Sequence, residues 1–245
     1  MRLRLLSDLH FEFMRDAGKS FVETLNPDGC DVLVLAGDLS NADGISAALR
    51  LICARFAPRP VVYVRGNHES YGSSLNGACV TIRSARHKNR IPNLVWLENG
   101  METILGQRFV GTPLWFREPP NVADKSCMND YFQIKGFDPQ VYQEAGRATS
   151  FLQKNLQSTD ILVTHYLPSD KCVHAKYAGS PLNAFFVLDI GELLQSRGVK
   201  LALPGHTHDS VDVKLGPTRI VCNPFGYVGH ELNASFNPSL TIEVP

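Results

Sequence analysis

Short apolar runs set the rhythm of the first two thirds of the chain. Arg2 to Ser7 reads as a strand, and Val32 to Ala36 is a continuous apolar run of the kind buried on both faces of a sheet. Ile45, Ala48, Leu49, Ile52, Cys53 and Phe56 then follow one stripe of a helix, which Pro58 and Pro60 end. Val61 to Val64 repeats the buried-strand pattern. A polar helix over about Leu75 to Lys88 follows, and Leu94 to Leu97 returns to strand. Asp138-Pro139 reads as the N-cap and first residue of a helix whose apolar face carries Val141, Ala145, Ala148, Leu152 and Leu156. Ile161 to Val163 and Leu201 to Leu203 are later strands. A helix from about Ala184 to Gln195 is expected between them, stopped by Gly198. Thr103 to Val110 and Val211 to Cys222 read as hairpins, turning near Gly106 and at Gly216-Pro217, and Leu240 to Val244 alternates as a final strand.

Strand–helix alternation joined to hairpins predicts an α/β chain, with either one mixed sheet or two sheets packed face to face and helices outside. No repeat, low-complexity tract or linker interrupts the chain, so a single domain over residues 1–245 is expected. Residues 112–136 hold Trp115, Phe116, Tyr131 and Phe132 without a regular pattern, a length that suits a loop over a site. Trp115 and Phe116 themselves read as core.

Composition narrows the classes of partner. Lys plus Arg equals Asp plus Glu at 24 each, so nothing in the net charge calls for nucleic acid or an anionic membrane. The basic run Arg83, Arg86, His87, Lys88 and Arg90 reads as a solvated helix face. No apolar run approaches the ~18 residues of a membrane span, and the opening run stops at Ser7-Asp8, short of a signal peptide. The six cysteines are scattered without a C-x-x-C pair and read as free thiols, which predicts a reducing, cytoplasmic setting.

Polar punctuation between the runs carries the chemistry. Five of the eight histidines fall in short clusters: Asp8-Leu9-His10, Gly66-Asn67-His68-Glu69, Thr164-His165 and Gly205-His206-Thr207-His208, joined by Gly37-Asp38. Strand ends offer one rigid rim for such side chains. Positions two apart on extended chain point the same way, so Asp8 with His10, and His206 with His208, can each serve one ion. Imidazole with carboxylate suits Mn, Fe, Zn or Ni, with Mn the expected ion. Asp8, His10, Asp38, Asn67, His165, His206 and His208 are too many donors for one tetrahedral site and suit two ions, with Asp38 placed to bridge them. Two divalent ions, two aspartates and a bridging hydroxide leave a centre near plus one, a trap for a phosphate oxygen. His68 should point away from the ligand direction, as a general acid or a hydrogen-bond donor. Glu12 and Asp209 lie beside ligands and read as acceptors for imidazole N–H groups. His174 and His230 have no partners in sequence and read as surface residues.

In this order the clusters resemble the calcineurin-like metallophosphoesterase superfamily, over Asp8 to His208. The resemblance implies a four-layer αββα sandwich, two mixed sheets flanked by helices, around a two-metal centre. Asp8, His10, Asp38 and His208 would hold one ion and Asp38, Asn67, His165 and His206 the other, with His68 catalytic. Met128-Asn129-Asp130-Tyr131 and Cys222-Asn223-Pro224 look like bacterial members of unassigned substrate. Ser40, Tyr166 and Pro204 depart from common family choices without removing a ligand. The expected activity is hydrolysis of a phosphate ester, with a phosphodiester favoured. A phosphomonoesterase or nucleotidase, with Tyr131 stacking on a base, is the alternative, and a non-catalytic scaffold is a second.

Overall fold

In the run Val32–Ala36, Leu33 and Leu35 pack toward helices, while Val32, Val34 and Ala36 face a second sheet. Side chains alternate across a strand, so a run apolar on both sides joins two hydrophobic layers at once. The computed structural model describes residues 1–88, 91–120 and 124–244, without the Lys88 side chain. Along the chain come β1 (Arg2–Leu6), α1 (Lys19–Thr24), β2 (Val32–Ala36), α2 (Ile45–Phe56), β3 (Val61–Val64), α3 (Leu75–Lys88) and β4 (Leu94–Trp96). They are followed by β5 (Gly100–Ile104), β6 (Gln107–Thr112), α4 (Asp130–Gln133), α5 (Phe137–Asn155), β7 (Ile161–Thr164), α6 (Gly191–Arg197) and β8 (Leu201–Leu203). The remainder is β9 (Val211–Leu215), β10 (Thr218–Cys222), β11 (Gly226–Tyr227), β12 (Glu231–Leu232) and β13 (Thr241–Glu243).

β1, β2, β3 and β4 lie parallel in one sheet, with β13 antiparallel on the free edge of β1. The second sheet runs β5-β6-β7-β8-β10-β9. Its four inner strands are parallel, and the hairpin strands β5 and β9 are antiparallel at its edges. Leu3, Leu5, Val34 and Val62 of the first sheet meet Phe109, Ile161, Val163 and Leu203 of the second. α2 and α3 cover the outer face of the first sheet through Leu49, Ile52, Phe56 and Ile82. α5 and α6 cover the second through Val141, Ala145, Leu152 and Leu194. The order helix, sheet, sheet, helix is the expected four-layer sandwich, and it resolves the choice between one sheet and two.

Two local expectations need correction. The helix expected from Ala184 to Gln195 begins only at Gly191; a short 3-10 turn, Pro181–Phe185, precedes it. Between them the chain is extended against the segment after β7. Leu167 N–H donates to Phe186 O at 3.1 Å and Leu188 N–H to Leu167 O at 3.0 Å. Pairing with a neighbour outweighs helical periodicity there. Gly198 does end the helix, in the left-handed region. At Asp138-Pro139 the backbone is non-helical and the peptide bond is cis, with the regular helix running on beyond. The Asp138 carboxylate takes Lys125 Nζ at 2.6 Å. Arg83, Arg86 and His87 are exposed on α3, whereas the Lys88 side chain and Arg90 lie outside the described residues. Among the described residues no helix is long and apolar enough to cross a membrane.

Candidate metal centre

The chain leaves β1 into Asp8 and His10, β2 into Asp38, β3 into Asn67 and His68, β7 into His165 and β8 into His206 and His208. All seven expected ligands are brought to one place, at the strand ends of both sheets. Asp8, His10, Asp38 and His206 are held at φ of 54°, 47°, 54° and 67°. Left-handed backbone at non-glycine residues costs ~1–3 kcal/mol each and persists where surroundings over-determine it. Here His10 N–H donates to Asp38 O at 3.0 Å and His206 N–H to Asp8 Oδ1 at 2.9 Å. His68 N–H donates to Asp38 Oδ1 at 2.9 Å. Gly66 is required by close approach, because a Cβ there would sit on Asp38 Oδ1 and His165 Nε2.

Asp38 Oδ2 lies 3.5 Å from His165 Nε2, 3.7 Å from His10 Nε2 and 4.0 Å from His68 Nε2. The far ring nitrogens are anchored: His165 Nδ1 on Ala36 O at 2.8 Å, His10 Nδ1 on Glu12 Oε1 at 3.3 Å, and His208 Nδ1 on Glu231 Oε2 at 3.2 Å. Those acceptors assign a proton to Nδ1 in each ring, and in His10 and His208 that leaves the lone pair on Nε2, whereas His165 Nε2 faces the Asn67 carbonyl oxygen at 3.0 Å and carries a proton as well. His10 Nε2 and His208 Nε2 then face each other at 3.3 Å with a lone pair on each. Among the described residues, His206 Nε2 is buried without a hydrogen-bond partner. Opposed lone pairs and an orphaned ring nitrogen in a buried pocket are the condition a cation relieves.

Electrostatics agree with a donor set. Burial, with the neighbouring His68, pulls the His10 imidazole down to about 4. Burial likewise holds His206 well below the usual histidine range, with His165 adding to it. Both rings are therefore neutral and able to offer a nitrogen lone pair to a metal ion. Burial favours a protonated Asp38, but the charges of His165 and His68 outweigh it and hold this carboxyl well below the carboxylate range. Burial pushes Asp8 up to about 7, against the opposing effect of His165. Burial also opposes charge on His165, yet Asp38 overrides it and raises that ring to about 9. Three groups drawn from Asp8, His10, Asp38, His68, His165, His206 and His208 each bring their donor atoms within 4.8 Å of one another. The neutral His10 and His206 rings, the Asp38 carboxylate and the Asn67 carbonyl fit a divalent metal ion, and such an ion would take the place of the proton on His165.

His68 stands beside this set. Its Nδ1 donates to Glu12 Oε1 at 2.8 Å, its Nε2 meets Tyr227 OH at 3.0 Å, and its ring stacks on Tyr71 at 4.1 Å. Glu12 thus accepts from two histidines, as expected of it. Burial works against its charge, but the hydrogen bonds from His10 and His68 bring the carboxyl down to about 2. Asp209 does not play this part, since its carboxylate takes Lys176 Nζ at 2.9 Å. Tyr131 is not presented to a substrate: its hydroxyl meets that of Tyr142 at 2.9 Å and its ring packs on Phe137.

Several supporting residues escaped sequence reasoning. Asp130 accepts from Asn67 Nδ2 at 2.8 Å and Tyr71 OH at 2.7 Å. Glu69 accepts from the backbone of Leu39 at 2.8 Å and Gly66 at 2.7 Å, and from Tyr63 OH at 2.8 Å. Glu69 belongs to a cluster already singled out, so its place was marked. Tyr227 and Glu231 sit on the β11–β12 ribbon, where no periodic signal points to a site. A cavity of about 300 Å³ opens onto Asp38, Asn67, His206 and His208, and His174 lies on its wall.

The two-sheet sandwich thus carries, at its strand ends, a buried nitrogen-and-oxygen donor set that could hold a metal ion. The family profile for calcineurin-like phosphoesterases matches residues 1–210, and the chain belongs to that family, whose members hydrolyse phosphate esters and typically use divalent metals. Its fold is similar to that of the phosphopantetheinyl hydrolase PptH from Mycobacterium tuberculosis, with a TM-score of 0.72 at 19% identity over 92% of this chain and 89% of that one. It is also similar to TT1561 of Thermus thermophilus, with a TM-score of 0.58 at 14% identity over 91% and 88% of the two chains. No curated protein matches the sequence.

Proposed function

We propose that the chain hydrolyses a phosphodiester at a centre of two divalent ions, with residues 1–245 acting as one domain. Asp8, His10, Asp38 and His208 would hold one ion and Asp38, Asn67, His165 and His206 the other. Manganese is the preferred ion, with Fe, Zn or Ni as alternatives for such ligands. When bound, two such ions supply Lewis acidity toward a phosphate oxygen and a water that ionises near neutral pH. The observation that carries this reading is the 3.3 Å approach of His10 Nε2 to His208 Nε2, beside the orphaned Nε2 of His206.

His68 is the proposed general acid. With Nδ1–H fixed on Glu12, Nε2 is the atom left to carry a proton toward a leaving oxygen, and the Tyr71 stack holds the ring plane. A diester is favoured because the described residues lining the cavity include no Lys or Arg to balance a dianion. Six free cysteines suit a reducing compartment, and we place the protein in the cytoplasm.

The test is hydrolysis of bis-p-nitrophenyl phosphate beside p-nitrophenyl phosphate by chelator-treated protein titrated with Mn²⁺. Metal-dependent release with the diester preferred is expected. His68→Ala should lower kcat by ~10²–10⁴-fold while retaining metal. Asp38→Asn should lose metal and turnover together. Protein that takes up no metal would overturn the reading.

A further inference from the structure

The cavity over the centre has a chemistry of its own. Its walls are built from Met128, Leu167, Val173, Tyr177, Leu182 and Phe186. Its ionisable carboxyl groups are Asp38, Asp130 and Glu231. Asp130 is buried and engaged by Asn67 and Tyr71, and Glu231 by His208. No lysine or arginine lines the cavity among the described residues. The nearby lysines are committed elsewhere, Lys176 to Asp209 at 2.9 Å and Lys125 to Asp138 at 2.6 Å.

Several neutral polar groups on the wall are engaged by their neighbours. Asn183 Nδ2 donates to Tyr177 O at 2.9 Å. Ser180 Oγ accepts from Leu182 N–H, and His174 Nδ1 from Lys176 N–H, each at 3.3 Å. What the cavity offers beyond the centre is mainly apolar surface, with negative charge at its edge. A second phosphate would find no cation among the described residues there and would meet carboxylates.

We infer that this cavity binds an uncharged, apolar alcohol arm of the ester, and that it selects such monoanionic diesters over nucleotides. The inference rests on the phosphoesterase reading for the position of the phosphate, not for the chemistry of the walls. An arm lying on Leu182, Val173 and Met128 loses water from each methylene, which corresponds to a ~3–4-fold gain in affinity per group.

The experiment measures binding of an n-alkyl(methyl)phosphinate series, from methyl to hexyl, to Mn²⁺-loaded protein and to metal-free protein by calorimetry. These monoanions have no ester bond, so binding is read without turnover. Kd should fall ~3–4-fold with each added methylene until the cavity is filled. Leu182→Lys and, separately, Val173→Lys should flatten that slope. In parallel, hexyl p-nitrophenyl phosphate should exceed thymidine 5′-(p-nitrophenyl phosphate) in kcat/KM by at least about tenfold. A flat series, a slope untouched by both lysine variants, or a preference for the thymidine ester would overturn the inference. A steep series whose methyl member ignores Mn²⁺ would instead overturn the phosphoesterase reading and leave the apolar arm site standing.

Discussion

Asp130 decides which end of the Asn67 amide faces the centre. It takes the Nδ2 of Asn67 at 2.8 Å, so the carbonyl Oδ1 is turned to His165 Nε2 at 3.0 Å. With Asp130→Ala the amide is free to rotate, and Mn²⁺ affinity should drop ~10–100-fold, read by calorimetric titration. An unchanged Kd would mean that the backbone and Tyr71 OH, which accepts from Asn67 Nδ2 at 3.3 Å, suffice to orient Asn67. Glu69 acts on the same loops through the backbone. Its carboxylate gathers Leu39, Gly66 and Tyr63, and Glu69→Ala strands those buried donors at ~1–3 kcal/mol each. Urea unfolding should show a loss of at least ~3 kcal/mol, while Glu69→Gln, which keeps one acceptor, should lose less. The expected ligands were legible because each sits at a fixed offset from a strand that apolar runs mark out. Asp130, Tyr227 and Glu231 were not marked as partners, because what they touch is set by tertiary approach and not by spacing.

At the level of elements, Arg65 ties β3 to the turn between β4 and β5. Its guanidinium is buried, with Nε on Glu98 Oε2 and Nη2 on Glu98 Oε1, both at 2.9 Å, and it lies 5.1 Å from the Trp115 ring centre. A buried charge left alone is costly, whereas removing both partners is not. Glu98→Ala should therefore cost ~3–5 kcal/mol in urea unfolding, and the double variant Arg65→Met with Glu98→Leu should recover most of that loss. A double variant no better than the single would show that packing on Trp115, not charge pairing, holds this junction. Helices such as α2 and α5 were legible from one apolar stripe each, Ile45 to Phe56 and Val141 to Leu152. The run Phe185 to Ile190 deceived because it is apolar almost throughout. Periodicity cannot separate a buried extended segment from a helix, and its pairing with Leu167 is invisible along the chain.

Across the whole molecule, the proposed ligands divide between the sheets. Asp8, His10, Asp38 and Asn67 follow strands of the first, and His165, His206 and His208 follow strands of the second. The sequence alone left one sheet or two open, since alternating strand and helix suit both, and it could not show the cavity, whose walls come from segments distant in the chain. The division has a thermodynamic consequence. Each proposed ion takes donors from both sheets, so its binding clamps the sandwich together, and the unfolded chain cannot reproduce that geometry. Metal held at about a hundred times its Kd should add ~2.7 kcal/mol per site. For a chain of this size that corresponds to a rise in Tm of about 5–10 °C per site, growing with the logarithm of free Mn²⁺. His208→Ala, which touches one proposed ion, should keep roughly half of the rise. Asp38→Asn, which touches both, should keep little of it. Thermal scans in chelator and in graded Mn²⁺ read this directly, without any substrate. A Tm indifferent to Mn²⁺ would refute the clamp, and equal losses in the two variants would refute the division of ligands between two ions.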